Sequence, residues 1–455
     1  MYKGSKMMVA VLLAMFGMGR SLAQDATTAL PSQWTLKECI AYAMEHNIQL
    51  KQRRLTTEQS ELDVLQSQAS LFPSLSFSTN QNVSWRPWSQ SYVNLSNGTM
   101  TTTSSEVNYN GSYGLNANWT VWNGGRNQKT VERNRLTRES SLYDTEETAN
   151  SIQEQIVQYY VQILYQTEAV RVNGEVLEAS KLQRDRAKVM VDVGSIARVD
   201  LMQLEAQVSQ DEYNVVNAQT MLDNYKLQLK QLLEIVDVEA FDIVIPDVGD
   251  ADVLAMIPDR ESVYAAAVNS RPEIQSGLLD IEAADVDIDI AKRGYYPSVS
   301  LMAGVGTSNT SGVHTGVPMQ WKNNLNNSVG LTLSVPIFDN RQNKTNVAKA
   351  RLSKQACELN LQNTKKELRS QIETYWLNAR NAQQQYRSAT TNVESMQASY
   401  DLVSEQFRLG LKNIVELTTG KNNLLQARQQ LLQSKYTALL NLAMLRFYAN
   451  REMQL

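Results

Sequence analysis

An α+β membrane protein is the fold class this sequence predicts, and three observations predict it. Helical patterns too long for a globular core come in pairs, each pair turning on a glycine, Gly194 or Gly410. Ahead of each pair lie two stretches in which apolar residues alternate with Ser, Thr and Asn, the period of a half-buried strand. The arrangement also occurs twice: residues 260–301 overlay 36–77 at an offset of 224, and from Gly330 onward the offset is 216. Each half is therefore expected to give a β-hairpin and a helical hairpin.

Composition agrees with this reading. Only 7% of the 455 residues are aromatic, and long tracts are rich in Gln, Glu, Ala, Leu and Asn, as in extended helices rather than a thick globule. The net charge of −4 advertises no nucleic acid. Cys39 and Cys357 fall at unrelated places in two helical patterns and are read as packing residues; no spacing argues for a disulfide.

At the start, Lys3 and Lys6 precede an apolar run from Met7 to Gly19, and Ser21-Leu22-Ala23 supplies small residues for cleavage. Residues 1–23 are the pattern of a secretory signal peptide. Its removal would take Lys3, Lys6 and Arg20 and shift the charge from −4 to −7. No later stretch of eighteen or more apolar residues exists, so any membrane crossing falls to strands.

From Trp34 the pattern is helical, with Thr35 and Glu38 at capping-box spacing. A break near His46-Asn47 leads to a second helix in which Leu55, Leu62 and Ala69 fall seven apart. Leu71-Phe72-Pro73 ends it, because the residue before a proline is pushed toward extended geometry. Leu75 and Phe77 then alternate with serines, residues 79–106 read as a polar loop with Trp85 and Trp88, and Leu115, Ala117, Trp119 and Val121 form the returning strand. Asn123-Gly124-Gly125 closes it.

Arg126 opens the first very long helix, whose seam is Leu142, Ala149, Ile156, Ile163, Val170 and Leu177. Running to Val193, it makes roughly 100 Å of rod. The return helix carries Leu201, Val208, Val215, Leu222 and Leu229. Residues 236–258, with strand-like Phe241 to Ile245, form the linker. The second copy repeats the plan: Pro297 falls on Pro73, Val299 to Val305 and Val329 to Val335 alternate around a loop with His314 and Trp321, and Phe338-Asp339-Asn340 replaces Trp122-Asn123-Gly124. Its seams are Ile372, Ala379, Tyr386, Val393, Tyr400 and Phe407, then Leu417, Leu424, Leu431, Ala438 and Leu445. The expected repeats are 24–235, with hairpins about 71–123 and 126–235, and 259–450, with hairpins about 297–338 and 341–449.

Strands of about ten residues approach the ~9–11 that cross a bilayer. Four cannot close, open edges are not tolerated in lipid, and small membrane barrels begin at about eight strands. The barrel must be shared between chains. Trp85, Trp88, Trp119 and Trp122 lie near strand ends, where aromatic girdles would sit; the alternative is an extracellular β-rich domain with core tryptophans. The helices, charged throughout, project on one side, which for an exported chain is the periplasm.

With this layout the chain resembles the TolC-like outer membrane efflux protein family, the outer membrane factors, from about Trp34 to Tyr448. The residues carrying the resemblance are Thr35-Leu36-Lys37-Glu38-Cys39-Ile40, the junctions at Pro73 and Pro297, Thr120-Val121-Trp122-Asn123-Gly124-Gly125-Arg126 with Pro336-Ile337-Phe338-Asp339-Asn340, and the two glycine-centred tips. Their order and duplication are more specific than any one motif. The resemblance implies a homotrimer in which twelve strands close one barrel in outer membrane lipid and twelve helical staves continue it into the periplasm. It implies a passive exit duct of a tripartite efflux or type I secretion system, working with a periplasmic adaptor (membrane fusion) protein and an inner-membrane pump of RND, ABC or MFS type.

The resemblance places adaptor docking on Val193-Gly194-Ser195 and Leu409-Gly410-Leu411. It makes Glu416 an acid of the closed aperture, pairs Lys412 with Asp200 as a lock, and puts Phe407 where the family has an aromatic that joins that lock. Phe407 lacks a hydroxyl, and the family's second gate acid is Thr419 here. The plainer alternatives are helix caps at the two glycines and a Lys412–Glu416 surface pair at i,i+4.

Two rivals are set against this. An enzyme has little to draw on: His46 and His314 are the only histidines, no catalytic or metal-ligand motif is present, and Asp285, Asp287 and Asp289 scatter around a helix. No cofactor is expected. A structural coiled-coil surface protein without a pore explains the heptads but not two matched hairpins.

Overall fold

The computed structural model describes residue 31 and residues 33–85, 92–96, 99–103, 107–235, 241–313 and 315–450. The expected leader at 1–23, Trp88 and His314 lie outside them.

The described chain opens on β1 (Gln33–Trp34) and turns into α1 (Leu36–His46). The capping box expected there is formed: Glu38 N donates to the Thr35 hydroxyl at 3.3 Å, and Thr35 N donates to Glu38 Oε2 at 2.8 Å. Asn47 ends α1 and caps α2 (Ile48–Ala69), its Oδ1 accepting from Leu50 N at 3.1 Å. Then come β2 (Ser74–Trp85), the short hairpin β3 (Tyr92–Ser96) and β4 (Thr99–Thr103), and β5 (Val107–Trp122). The first helical hairpin is α3 (Arg126–Asp192) and α4 (Arg198–Leu232). After it, β6 (Asp242–Ile243) pairs in parallel with β1, and α5 (Asp250–Val253) is a single turn.

The second half follows as α6 (Arg260–Ser270), α7 (Pro272–Lys292), β7 (Ser298–Thr310), α8 (Val317–Asn323), β8 (Asn326–Ser334), α9 (Gln342–Arg408) and α10 (Ile414–Tyr448). The long helices are 67 residues in both halves and the return helices 35.

One antiparallel sheet joins the halves in the order β2-β5-β7-β8. Its register sets Phe77 opposite Leu115, Leu115 opposite Val305, Ala117 opposite Ala303, and Leu301 opposite Leu331. Residues directly opposite share a face, so the apolar alternation of four strands merges into one apolar face, with Ser, Asn and Gly on the other. That apolar face is bare: Leu115 and Val305, on its two central strands, are 44% and 47% exposed, and Leu331 on the edge strand β8 is 71% exposed. Among the described residues neither β2 nor β8 has a partner strand on its outer edge.

Below the sheet lie two cores that are copies of each other. Cys39, Ala43, Leu50, Ile152, Ile156, Ile163 and Leu229 pack together in the first half. Val263, Ala267, Ile274, Leu368, Ile372, Ala379 and Leu445 occupy the equivalent places in the second. Each fully buried Leu or Ile contributes about 1.5–3 kcal/mol. Burial pushes the Cys39 thiol up to about 12, as suits a packing residue, and both cysteines are free.

Several expectations need correction. Leu55 and Leu62 do not pack inward but are exposed, as is Ala69, because α2 turns its polar face to α3: the Thr57 hydroxyl donates to Ser141 O at 3.1 Å and shares a hydrogen bond with Thr145. Leu142 is exposed too, since the α3 seam is dry only from about Ile152 onward. The strands exceed ten residues in β2, β5 and β7, which run on into what the sequence suggests are polar loops, the first of them at 79–106. Those loops are not featureless, for they hold β3, β4 and α8. The strand-like run at 241–245 shortens to the two residues of β6, because β1 offers only two partners.

Candidate functional site

Both tip turns are built alike. At the end of α3, Ser195 N donates to Met190 O at 2.8 Å and Gly194 N to Val191 O at 2.9 Å. At the end of α9, Leu411 N donates to Gln406 O at 2.9 Å and Gly410 N to Phe407 O at 2.9 Å. This is the Schellman pattern, which needs a left-handed residue just past the cap; Gly194 has φ +74° and Gly410 +73°. Val193, Leu409 and Leu411 stand exposed around these turns with Val199 and Val415, and Ser195 lies on the same surface. An apolar rim on an otherwise polar helical end is a surface a partner can cover.

The candidate gate acids prove to be equivalent residues, each three past the N-cap of a return helix. Glu416 forms a full capping box: its N donates to Asn413 Oδ1 at 2.9 Å and its Oε2 accepts from Asn413 N at 3.3 Å. Its other oxygen, Oε1, accepts from Lys412 Nζ at 2.5 Å. The Lys412 hydrogen bond, then that of Asn413, holds the Glu416 carboxyl below its ordinary value. In the first half Ala197 stands at the N-cap, so only the reverse bond forms, Ala197 N to Asp200 Oδ2 at 3.3 Å. Within one chain, then, Lys412 takes Glu416 as its partner, and Asp200 is engaged with its own helix. Phe407 is half-buried against a cluster of Ala187, Leu204, Ile414 and Leu417, where it ties one hairpin to the other.

A second polar site nearby was not read from the sequence. Lys421 on α10 reaches Asp211 Oδ2 on α4 at 2.5 Å and Ser180 Oγ on α3 at 2.9 Å. Ser180 donates to the same Asp211 oxygen at 2.6 Å, and Gln207 Nε2 to the other at 2.9 Å. Burial lowers the Lys421 pKa, against the Asp211 hydrogen bond. The available signal was positional: Lys421 lies four past Leu417 and three before Leu424, on the apolar stripe rather than the wet face.

Elsewhere, the carboxylates Asp285, Asp287 and Asp289 diverge as expected, toward Lys354, Arg133 and Lys292. A cavity of about 500 Å³ between α3, α7 and α9 is lined by Glu147, Glu154, Glu273, Asp280 and Arg271. Arg271 stacks on Tyr448 with its guanidinium 3.8 Å from the ring centre, and burial raises both Glu147 and Glu154. Among the described residues no group of His, Cys, Asp or Glu is arranged to hold a metal ion. Nor is any described helix long and apolar enough to cross a membrane.

Comparison with known proteins agrees with this architecture. The family described as outer membrane efflux protein matches residues 40–233 and 263–451, one match per half. "Outer membrane protein TolC" of Escherichia coli is 25% identical over 277 residues, covering 58% of this chain and 54% of that protein. The Salmonella enteritidis protein of the same name is 23% identical over 362 residues, 72% of each chain. Among solved structures, the Campylobacter jejuni CmeC outer membrane channel superposes with a TM-score of 0.76 at 20% identity, over 92% of this chain and 87% of that one. The outer-membrane channel OprN gives 0.74 at 17% identity, over 92% and 91%.

Proposed function

The chain belongs to the outer membrane efflux protein family, and from that premise we propose that it is the outer-membrane exit duct of an export system, passively conducting substrate from the periplasmic side to the outside. The observation that carries this reading is the four-stranded sheet, apolar on one face and open at both edges, feeding directly into two equal helical hairpins. In lipid every backbone polar group must find a partner, so β2 and β8 call for strands from other copies. Three copies supply twelve strands, enough for a closed barrel with a wet lumen. The exposed stripe of Ile48, Leu55, Leu62 and Leu65 on α2 supports the same assembly, since it needs cover from a neighbouring chain.

At the far end, Val193-Gly194-Ser195 and Leu409-Gly410-Leu411 receive a periplasmic adaptor, behind which stands an inner-membrane pump of RND, ABC or MFS type. The apolar rim favours this role. Glu416 faces the aperture, where a ring of three carboxylates attracts cations and opposes anions. Lys412 holds the ring closed by bridging to Asp200 once neighbouring hairpins meet, drawn from the Glu416 partner it has in the single chain.

The test is direct. Protein extracted in detergent is mass-measured intact and then reconstituted in planar bilayers. A trimer with discrete conductance steps is the expected result. A monomer that gives no conductance removes the duct and leaves a surface stalk.

A further inference from the structure

We propose that α8, in the loop between β7 and β8, is an interfacial anchor that lies on the outer-leaflet lipid. This rests on the membrane-barrel reading above and goes beyond it, because barrel strands alone require no such helix.

The geometry begins where β8 stops. β8 pairs with β7 only as far as Gly306–Asn326, leaving the β7 edge bare from Thr307 to Thr310. α8 covers that edge. Gln320 Oε1 accepts from Thr310 N at 2.8 Å, its Nε2 donates to Thr310 O at 3.1 Å, and Asn324 Nδ2 donates to Ser308 O at 2.8 Å. Gln320 is buried in doing so. These bonds fix the helix firmly, so its exposed side chains are held in place rather than left loose.

The side on which it lies is set by Trp321. Its ring meets Tyr113 edge-on, centroids 5.6 Å apart, and its Nε1 donates to Asn309 Oδ1 at 3.3 Å. Tyr113 and Asn309 share a face with Leu115, Val305 and Leu301, since side chains two apart in a strand point the same way and the register between β5 and β7 is unbroken there. Trp321 therefore sits on the apolar face of the sheet, level with the polar pair Tyr113–Thr307 just past the Leu115–Val305 pair. An indole at the border between an apolar band and polar residues is the position of an interfacial aromatic.

Val317 is one turn earlier on the same helical stripe, and Leu325 follows just past the C-cap Asn324. Val317 is 41% exposed, Trp321 42% and Leu325 57%. This apolar surface continues that of the sheet outward, so the solvent that covers one covers the other. Lys322 follows Trp321 and suits the anionic headgroup level.

The test uses full-length protein reconstituted in phospholipid vesicles. A nitroxide is placed by Val317→Cys in a Cys357→Ser background, Cys39 being fully buried, with Leu331→Cys as a reference on the sheet face. Power saturation then compares relaxation by oxygen, which concentrates in lipid, with that by a water-soluble nickel chelate. Both sites should favour oxygen several-fold, with position 317 nearer the headgroups than 331. If 331 favours oxygen while 317 favours nickel, or 317 is shielded from both by a protein neighbour, the anchor is wrong and the barrel stands. If 331 itself favours nickel, the barrel reading fails first.

Discussion

Lys421 on the second helical hairpin meets Asp211 on the first at 2.5 Å, with the two side chains 5% and 2% exposed. The duplication does not produce this pair: position 205, equivalent to Lys421, is Glu, and position 427, equivalent to Asp211, is Ala. It is a contact that fastens the two halves of one chain. Lys421→Met strands the Asp211 charge away from water and should destabilise the protein by about 3–5 kcal/mol. The double variant Lys421→Met/Asp211→Leu, which removes both charges, should recover most of that loss in chemical unfolding of the detergent-solubilised protein. Equal loss in both variants would show that packing, not charge, is at stake.

The tip lock gives a conductance prediction. Lys412→Ala or Asp200→Ala should loosen the closed end and raise single-channel conductance in planar bilayers. Unchanged conductance in both would sink the lock and leave Lys412 as the surface partner of Glu416.

Acid should weaken the α10 cap. In the single chain, where Lys412 and Asn413 both donate to it, Glu416 has a folded pKa below its ordinary value of 4.5. Its contribution is therefore complete above about 4.5 and is lost as pH falls through the depressed value. Hydrogen exchange of the amides at 413–417, corrected for its intrinsic pH dependence, should stay slow to pH 4.5 and quicken below it. Glu416→Gln should abolish that transition.

Two glycines should respond oppositely to alanine. Gly410 is left-handed with nothing within 4 Å of an added Cβ, so Gly410→Ala meets only backbone strain, about 1–2 kcal/mol. Gly174 lies inside α3, also with open space around it, so Gly174→Ala should stabilise by up to about 1 kcal/mol. Thermal midpoints should rank Gly174→Ala highest and Gly410→Ala lowest.

Local and repeated features were legible in the sequence. Thr35 and Glu38 form their cap, the seam residues Ile156, Ile163, Leu229, Ile372, Ala379 and Leu445 are buried, and the alternating strands merge into one apolar face. Long-range choices were not. The stripe Leu55–Leu62 has helical spacing whether it faces its own chain or another, and spacing alone cannot say which. Lys421 falls on the apolar stripe, but its partners Asp211 and Ser180 lie more than two hundred residues away and only the fold brings them beside it. At the tip, the family resemblance implies a pairing of Lys412 with Asp200, while within one chain the local geometry gives Lys412 the residue four along. The short helix α8 has no periodicity long enough to register; it forms because the bare edge of β7 offers Gln320 and Asn324 backbone partners.

The change of offset from 224 to 216 falls between Leu301 and Gly330, and this has a consequence for how the two copies were free to diverge. One residue added within a helix of 67 rotates everything beyond it by about 100° and turns its dry stripe to water. The same addition in a loop above the sheet disturbs nothing below. The first copy spends its eight additional residues there, and the paired helices below remain equal to the residue. The outward end of the molecule is thus the place where its lineage could experiment, and the inward end is where it had to keep count.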